Sequence, residues 1–258
     1  MIDCDAGQKA KLHAMPAERA TPTLDETCVV IPTYNERDNI VRLAEALRRL
    51  SPGLRVIVVD DESPDGTGAL AQEAAGRLAP MTVIRREGKG GRGSAVLAGF
   101  KAALADPGVR ALVEMDADFS HDPAELAETV KALAGADVVV RSRYRPKSRI
   151  VDWSLQRRVF SRGANALARA ALRVTLSDYT NGYRAYSREA AQAIDGARID
   201  STGYIVLSEV AVQLHARNFR FVELPTVFVN RRRGESNLGW REISSAARGI
   251  LRLAARGG

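Results

Sequence analysis

The chain of 258 residues contains only two cysteines and no long apolar segment. Cys4 lies in a polar leader and Cys28 opens an apolar run, so we expect no structural disulfide, and a reducing compartment fits this content. No stretch reaches the roughly 18 uninterrupted apolar residues of a membrane-spanning helix. Residues 1–26 lack the apolar core of a signal peptide and are predicted to form a disordered leader.

Acidic residues are scarce after residue 140. Residues 141–258 contain 22 lysines and arginines against 9 acids, a net charge of +13, whereas residues 1–140 contain 16 against 22, a net charge of −6. A basic half suggests an anionic partner, which could be nucleic acid, a phosphorylated substrate or an anionic membrane. Most of these basic residues are arginines, which can bind a phosphate through two parallel hydrogen bonds.

The first 140 residues alternate between short β-branched apolar runs and segments with helical spacing. Strands are predicted at 28–34, 54–61, 81–86, 109–116 and 136–142, and helices at 36–50, 65–79, 93–104 and 122–134. This alternation predicts an α/β protein with a mostly parallel central sheet and helices on both faces.

The alternation ends after residue 142. Basic loops are predicted at 143–153 and 230–240, strands at 181–187 and 219–229, and helices at 154–173, 188–194, 204–216 and 241–256. Since the sequence shows neither an internal repeat nor a linker, we predict one domain over 27–258. Residues 27–140 would form one half, and residues 141–258 a basic elaboration.

Polar and acidic residues follow four of the predicted strands. In open parallel sheets, ligands bind at the carboxyl ends of the strands, so acids at successive ends are expected to face one crevice. The residues at these ends are Tyr34, Asn35 and Glu36, then Asp60 and Asp61, then the glycine-rich segment 88–93, and finally Asp116 and Asp118.

Asp116 and Asp118 are two residues apart, and in an extended chain this spacing points both side chains to the same face. Two carboxylates so close repel each other unless a cation lies between them. Mg²⁺ or Mn²⁺ typically binds through one or two carboxylates together with substrate phosphates. The pair therefore predicts a metal clamp for a diphosphate. The alternative is a simple turn that caps the next helix.

The glycine-rich segment GKGGRG, residues 88–93, formally fits the G-x-G-x-x-G pattern of dinucleotide sites. It follows the third strand rather than the first, and no G-K-[ST] closes it as in a P-loop, so neither site is predicted. Lys89 and Arg92 are instead expected to lie along a nucleotide or a sugar.

Eight segments together resemble a known family. They are VVIPTYNERDNI, IVVDDESPDGT, GKGGRGSAVLAGF, VEMDADFSHDP, SRY, SRGAN, NGYRAY and RRRGESNLG. Their order and approximate spacing are similar to those of the dolichol-phosphate (polyprenyl-phosphate) mannose synthases of inverting glycosyltransferase family 2. The resemblance covers about residues 28–250. The first four segments are shared by much of that family, and the later ones are specific to the polyprenyl-phosphate branch.

The resemblance implies a GT-A fold and an enzyme that transfers mannose from GDP-mannose to a polyprenyl monophosphate. The residues implied in nucleotide-sugar binding are Pro32, Tyr34, Glu36, Asp61, Lys89, Asp116 and Arg231, the last from a mobile loop. Mg²⁺ or Mn²⁺ would be held by Asp116, Asp118 and Ser120. The acceptor phosphate would be held by Arg143, Arg157 and Ser161, and Asp118, Arg143 and Arg157 are the expected catalytic residues.

The same resemblance implies an acceptor that needs no protein base, because a phosphate monoester is already about doubly ionised near pH 7. Membrane contact is a separate inference from the residues. The helices that carry the arginines around 157–173 and 241–256, beside Ile, Leu and Ala, could lie on anionic lipid, so we expect a cytoplasmic protein, peripheral at the cytoplasmic membrane face. The alternative is that these helices pack on the domain. No nucleic-acid partner is expected.

Three departures from the family pattern leave alternatives open. Asn237 replaces a usual Lys, Arg141 a usual Gly, and Leu207 and Ser208 a usual Gln-Met pair. These changes favour a second hypothesis, a transferase of the same fold with another nucleotide sugar or a soluble acceptor. A non-enzymatic basic scaffold is the third.

His121 could brace its loop or touch sugar or metal, and Trp153 is expected to pack rather than to form a sugar platform.

Overall fold

Strands and helices follow one another largely in the predicted order in a computed structural model, which describes residues 20–88, 90–195, 199, 205–230 and 249–250. The α-helices are α1 Ile40–Leu50, α2 Thr67–Ala75, α3 Arg92–Leu104, α4 Leu126–Lys131, α5 Leu155–Leu172, α6 Arg188–Asp195 and α7 Ile205–Ala216. The strands are β1 Thr27–Thr33, β2 Arg55–Asp60, β3 Met81–Arg85, β4 Ala111–Glu114, β5 Val138–Ser142, β6 Arg149–Val151, β7 Arg184–Ser187, β8 Phe221–Pro225 and β9 Val227–Val229.

Seven strands form the central sheet in the order β3-β2-β1-β4-β7-β5-β8. The pairs β1–β2, β2–β3, β1–β4 and β5–β8 are parallel, and β7 is antiparallel to both of its neighbours. The mostly parallel sheet is therefore confirmed. The chain moves outward from β1 to β3 and then returns to place β4 on the other side of β1. This reversal opens a crevice at the carboxyl ends of β1 and β4, where open α/β sheets bind ligands.

Both faces of the sheet are buried, as a parallel sheet requires. Along β1, Cys28 and Val30 pack into one apolar cluster and Val29 and Ile31 into the other. The Cys28 thiol is free and buried, and burial raises its pKa to about 12, so it stays a protonated core residue. Among the helices whose residues the structure describes, none combines the length and the apolarity needed to span a membrane.

The structure differs from the predicted elements in four places. Strand β7 is inserted antiparallel between β4 and β5, and the predicted strand 219–229 is divided at Thr226 into β8 and β9. β9 leaves the main sheet and pairs with β6, which lies inside the predicted loop 143–153. Leu24–Glu26, within the predicted leader, form a 3-10 helix. Three predicted segments lie wholly or partly outside the described residues. They are the leader up to residue 19, the loop 230–240 after Asn230, and the helix 241–256 apart from residues 249 and 250.

Arg141, one of the departures from the family pattern, joins α4 to β8. Its side chain is buried, and it donates from Nε to Thr129 Oγ1 at 2.7 Å and from Nη1 to the Pro225 carbonyl at 2.7 Å. Nη2 donates to the Glu125 carbonyl at 2.8 Å and to Glu128 Oε2 at 2.7 Å. These partners are structural, so Arg141 stabilises the fold and gives no reason to doubt the donor site.

Replacing Arg141 should therefore reduce stability. Arg141→Met removes the donor from two partly buried carbonyls and leaves no cation beside Glu128, and we expect the free energy of unfolding to fall by about 3 kcal/mol. Urea denaturation followed by circular dichroism measures this. Arg141→Lys is the control: it keeps the positive charge but not all of the hydrogen bonds, so it should lose only part of this free energy. An Arg141→Met protein as stable as the wild type would contradict this role.

Candidate active site

Three loops meet at the carboxyl ends of β1, β2 and β4, and each contains a non-glycine residue in the left-handed region. Asn35, Glu62 and Phe119 have φ values of 60°, 53° and 58°. Such backbone is uncommon outside glycine and tends to cluster at functional sites. Each of these residues directly follows a predicted site residue, Tyr34, Asp61 or Asp118. The unusual turns therefore surround the predicted crevice.

Asp116, Asp118 and Ser120 lie in the loop that leaves β4, as predicted. The Asp116 side chain is 17% exposed, and Asp118 is half-buried. The backbone N–H of Ser120 donates to Asp118 Oδ1 at 3.0 Å, which fixes that carboxylate against its own loop. Both acids are therefore within reach of a ligand while their loop is held in place.

His121 braces this loop rather than lining the crevice. It is buried, its Nδ1 accepts a hydrogen bond from the backbone N–H of Asp116 at 3.2 Å, and its ring stacks on Tyr183. Because Nδ1 accepts, Nε2 carries the proton and donates to Asn181 Oδ1 at 2.9 Å. Of the two readings of His121 that the sequence left open, bracing is the one that these contacts favour.

Arg92 lies at the start of α3 and binds two acids at the carboxyl end of β4, one in the strand and one in the loop that follows. Its Nη1 donates to Glu114 Oε2 at 2.7 Å and its Nε to Asp116 Oδ1 at 2.8 Å. Burial lowers the pKa of Arg92, but Asp116 and Glu114 outweigh burial and raise it above its ordinary value, so the guanidinium stays charged. The sequence placed Arg92 along a nucleotide or sugar, whereas its contacts here are with protein carboxylates.

Asp61 holds the glycine-rich segment. Its Oδ1 forms an ion pair with Arg86 at 2.9 Å, and its Oδ2 accepts from the backbone N–H of Gly91 at 2.7 Å. The Glu62 carboxylate also accepts a hydrogen bond, from the backbone N–H of Gly88 at 2.8 Å. The carboxylate that the resemblance assigns to the nucleoside therefore orients the next loop of the crevice. Lys89, in the same segment, lies outside the described residues.

The remaining donor-side residues follow β1. Pro32 is half-buried within the strand, Tyr34 is 39% exposed, and Glu36 is half-buried. The Glu36 carboxylate accepts from Asn39 Nδ2 at 2.9 Å, and its backbone N–H donates to Thr67 Oγ1 at 2.9 Å. Tyr34 thus presents an exposed ring at the mouth of the crevice, and Glu36 ties this loop to α2. Arg231 lies outside the described residues.

Arg143 is bound by a buried acid. Its Nε and Nη2 donate to the two oxygens of Asp178 at 2.7 and 2.8 Å, and Nη2 also donates to Thr180 at 2.6 Å. Burial raises the pKa of Asp178, but Arg143 and backbone N–H groups outweigh burial and hold this pKa below its ordinary value. Arg143 is therefore a buried cation whose orientation is fixed by Asp178 and Thr180.

Trp153 brings the predicted acceptor residues together. The guanidinium carbon of Arg157 lies 4.1 Å from the centroid of the Trp153 ring, and that of Arg143 lies 5.1 Å from it. Next to Arg143, Tyr144 donates from its hydroxyl to Ser161 Oγ at 2.6 Å. The Trp153 indole N–H is buried and has no hydrogen-bond partner in the part of the chain described.

A chain of hydrogen bonds joins the two predicted sites. Asp116 bonds to His121, His121 to Asn181, and the Asn181 N–H to Asp178 Oδ1 at 3.0 Å. Asp178 then binds Arg143. Only three residues thus separate a predicted metal ligand from a predicted acceptor residue, so both sites belong to one rigid unit.

The oxygen donors at the end of β4 fit a hard divalent cation. Among the described residues, no group of three or more His, Cys, Asp or Glu side chains is arranged to hold a metal by itself. Two aspartates with a nearby serine suit Mg²⁺ or Mn²⁺, which take their other ligands from phosphates and water.

Sequence reasoning missed three parts of this arrangement: the Arg92–Glu114 pair, Asp178 and the stacking of arginines on Trp153. Two of them had a visible signal. Glu114 interrupts an apolar strand, and Asp178 is one of few acids in a basic half; a buried acid calls for a paired cation. Which cation pairs with each acid depends on tertiary contacts between distant segments, which the sequence does not display.

Comparisons with known proteins identify one family and several relatives whose names describe related activities. Residues 28–195 match the family described as Glycosyl transferase family 2. The polyprenol monophosphomannose synthase of Mycolicibacterium smegmatis is 41% identical over 90% of this chain and 88% of that protein. The undecaprenyl-phosphate mannosyltransferase of Micrococcus luteus is 38% identical over 88% and 94%, and the dolichol-phosphate mannosyltransferase of Pyrococcus furiosus is 35% identical over 87% and 62%.

Solved structures share the fold at low sequence identity. The glucosyl-3-phosphoglycerate synthase from Mycobacterium tuberculosis, crystallised with Mn²⁺, UDP and phosphoglyceric acid, matches with a TM-score of 0.66 and 22% identity over 90% of this chain and 78% of that chain. A crystal structure of the same synthase with Mg²⁺ and UDP gives a TM-score of 0.63 and 20% identity over 90% and 78%.

The Arg143–Asp178 pair should contribute strongly to stability. Asp178→Ala leaves the buried Arg143 charge unpaired, and we expect a loss of about 3–5 kcal/mol in the free energy of unfolding at neutral pH. Because the pKa of Asp178 is lowered in the folded state, this contribution is present above its ordinary pKa and disappears as the pH falls through the lowered value. The loss should therefore shrink in acid.

Chemical denaturation at pH 7 and at progressively lower pH measures this difference. The control is Arg143→Met with Asp178→Ala, which removes both charges and should cost less than Asp178→Ala alone. A double variant that loses as much as the sum of the two single variants would show that the pair has no coupling.

Proposed function

The chain belongs to Glycosyl transferase family 2 and has the GT-A fold, and we propose that it transfers mannose from GDP-mannose to the monophosphate of a polyprenyl lipid. It is thus a glycosyltransferase, and the donor, the acceptor and the metal are the proposal. Its support comes from three relatives whose names describe mannose transfer to a polyprenol-type phosphate.

One observation carries the proposal most directly: the hydrogen-bonded chain from Asp116 through His121, Asn181 and Asp178 to Arg143. A transferase must hold two substrates in a fixed relation, since orientation supplies much of its rate enhancement. Here an acidic pair suited to a metal-bound diphosphate and a cationic cluster suited to a phosphate share one rigid frame.

On the donor side, the crevice would hold the nucleoside between the loop of Tyr34 and the loop that Asp61 orients. Asp116 and Asp118, with Ser120, would hold Mg²⁺ or Mn²⁺, which supplies charge stabilisation for the leaving diphosphate. Lys89 and Arg231 remain proposed donor contacts.

On the acceptor side, Arg157, Arg143 and Ser161 would receive the lipid phosphate. The phosphate oxygen attacks the anomeric carbon of the sugar as the bond from that carbon to the nucleoside diphosphate breaks. Because the attacking phosphate is already ionised, no side chain has to remove a proton. In-line attack inverts the anomeric centre, so an α-linked donor gives a β-linked lipid phosphate. The protein's task is then positioning and charge neutralisation.

Helix α5 would face the cytoplasmic leaflet of the membrane from which the lipid is drawn. It carries Leu155, 78% exposed, and Val159, 60% exposed, one turn apart, and Leu167 is 39% exposed. Arg158 and Arg162 lie exposed beside this apolar stripe. Exposed apolar side chains flanked by arginines are typical of helices that lie on anionic lipid.

A transfer assay tests the proposed reaction. The protein is mixed with radiolabelled GDP-mannose, Mg²⁺ or Mn²⁺ and a short polyprenyl phosphate, and the mixture is extracted with organic solvent. We expect metal-dependent counts in the organic phase, and a loss of about 100-fold or more in a variant with Asp116→Asn and Asp118→Asn, because the diphosphate then departs without its cation.

Counts that stay in water, with metal-dependent binding of GDP-mannose, would contradict the lipid acceptor and direct the search to a soluble one. A variant with both aspartates replaced that keeps full activity would contradict the metal clamp.

Membrane contact through α5 is tested by sedimentation with vesicles that contain phosphatidylglycerol. Leu155→Glu with Val159→Glu should reduce the bound fraction about fivefold or more, since both side chains would otherwise enter the interface. Gln156 is exposed between them, and Gln156→Glu adds one negative charge without removing an apolar side chain. It is therefore the matched control for the single Val159→Glu variant. Equal losses in the control and in the single Val159→Glu variant would indicate a charge effect and contradict apolar insertion.

A further inference from the structure

Arg92 is held by three separate hydrogen bonds, one of them to the predicted metal ligand Asp116. Nε binds Asp116 Oδ1 at 2.8 Å, Nη1 binds Glu114 Oε2 at 2.7 Å, and Nη2 donates to the Gly182 carbonyl at 3.0 Å. Each guanidinium nitrogen thus has its own acceptor, and the acceptors lie on two segments, the end of β4 with its following loop and the chain just before β7. The orientation of Arg92 is therefore fixed relative to Asp116.

The surroundings of Arg92 are shaped to receive it. A Cβ atom at Gly182 would lie 2.1 Å from Nη2, so a side chain at this position would displace the guanidinium from its present place. Glu114 is buried, and its other oxygen accepts from the Tyr186 hydroxyl at 2.7 Å. Burial and the Glu114 carboxylate raise the pKa of Tyr186 well above its ordinary value, so this hydroxyl remains a donor.

The position of Arg92 has a consequence for any cation bound by Asp116. The described part of the chain offers two aspartates and no third acidic, histidine or cysteine ligand grouped with them. A fixed positive charge bonded to one of these aspartates opposes an incoming divalent cation. A nucleoside diphosphate brings additional negative charge and further oxygen ligands, which offset this opposition.

We propose that Arg92 is a resident counter-ion of Asp116 that keeps the affinity for a divalent cation low until a nucleoside diphosphate is bound. Arg92 is thus a positioning residue, since it acts through Asp116. The inference rests on the metal-dependent function proposed above. It makes tight metal binding conditional on the donor, so the metal clamp forms mainly when there is a diphosphate to hold.

Binding of Mn²⁺, followed by the electron paramagnetic resonance signal of the free ion, tests this without any measurement of activity. In the wild type, we expect weak binding of Mn²⁺ alone and tighter binding in the presence of GDP. Arg92→Met should bind Mn²⁺ alone about tenfold more tightly, and the additional effect of GDP should shrink. Arg92→Lys keeps the positive charge and should resemble the wild type.

Arg92→Met leaves Glu114 without its cation, so a second variant guards against misfolding. Arg92→Met with Glu114→Gln removes both charges and keeps an oxygen for Tyr186; it should still bind Mn²⁺ alone more tightly than the wild type. Asp116→Asn added to Arg92→Met should abolish the gain. Circular dichroism melting curves establish that each variant is folded.

An unchanged or weaker affinity for Mn²⁺ alone in both folded variants would overturn the inference, because Arg92 would then be only structural. A wild type that binds no Mn²⁺ even with GDP would overturn the proposed metal clamp as well, and this outcome distinguishes the two failures.

Discussion

Three acids within five residues end strand β4, and their mutual repulsion is the constraint on which the arrangement of the site depends. Glu114 is buried and needs a cation within the protein, which Arg92 supplies from the start of α3. Asp116 shares that cation, and Asp118 is held by the N–H of Ser120. The start of α3 is therefore fixed against the carboxyl end of β4 by charge as well as by apolar packing.

The same principle organises the basic half of the chain. Arg143 is buried only because Asp178 binds it through two parallel hydrogen bonds, and Trp153 places Arg157 beside it. His121 then links this cationic region to the acidic loop. The acidic loop after β4 and the arginine cluster around Trp153 are thus neighbouring regions of opposite charge, joined by hydrogen bonds. Such an arrangement suits a reaction between two anionic substrates, in which positioning and charge neutralisation replace proton transfer.

Much of the fold was predictable because its signals are local. The apolar spacing of α1 and the β-branched run of β1 can be read from neighbouring residues. The pair of Asp116 and Asp118 could be located because it directly follows a predicted strand. The antiparallel insertion of β7 was not predicted, since pairing between distant strands has no local pattern. Arg141 departs from the family pattern, yet its contacts show a structural role that only the folded chain reveals. Trp153 was expected to pack, and it does so against two predicted acceptor arginines.

The central claim is that Asp116 and Asp118 hold a divalent cation on a nucleoside diphosphate in the crevice between β1 and β4. A crystal structure with Mn²⁺ and GDP, with diffraction data collected at the manganese absorption edge, tests this claim most directly. The account predicts one anomalous peak within bonding distance of both the aspartate loop and the diphosphate oxygens. A diphosphate bound in the crevice with no manganese peak beside these aspartates would contradict it.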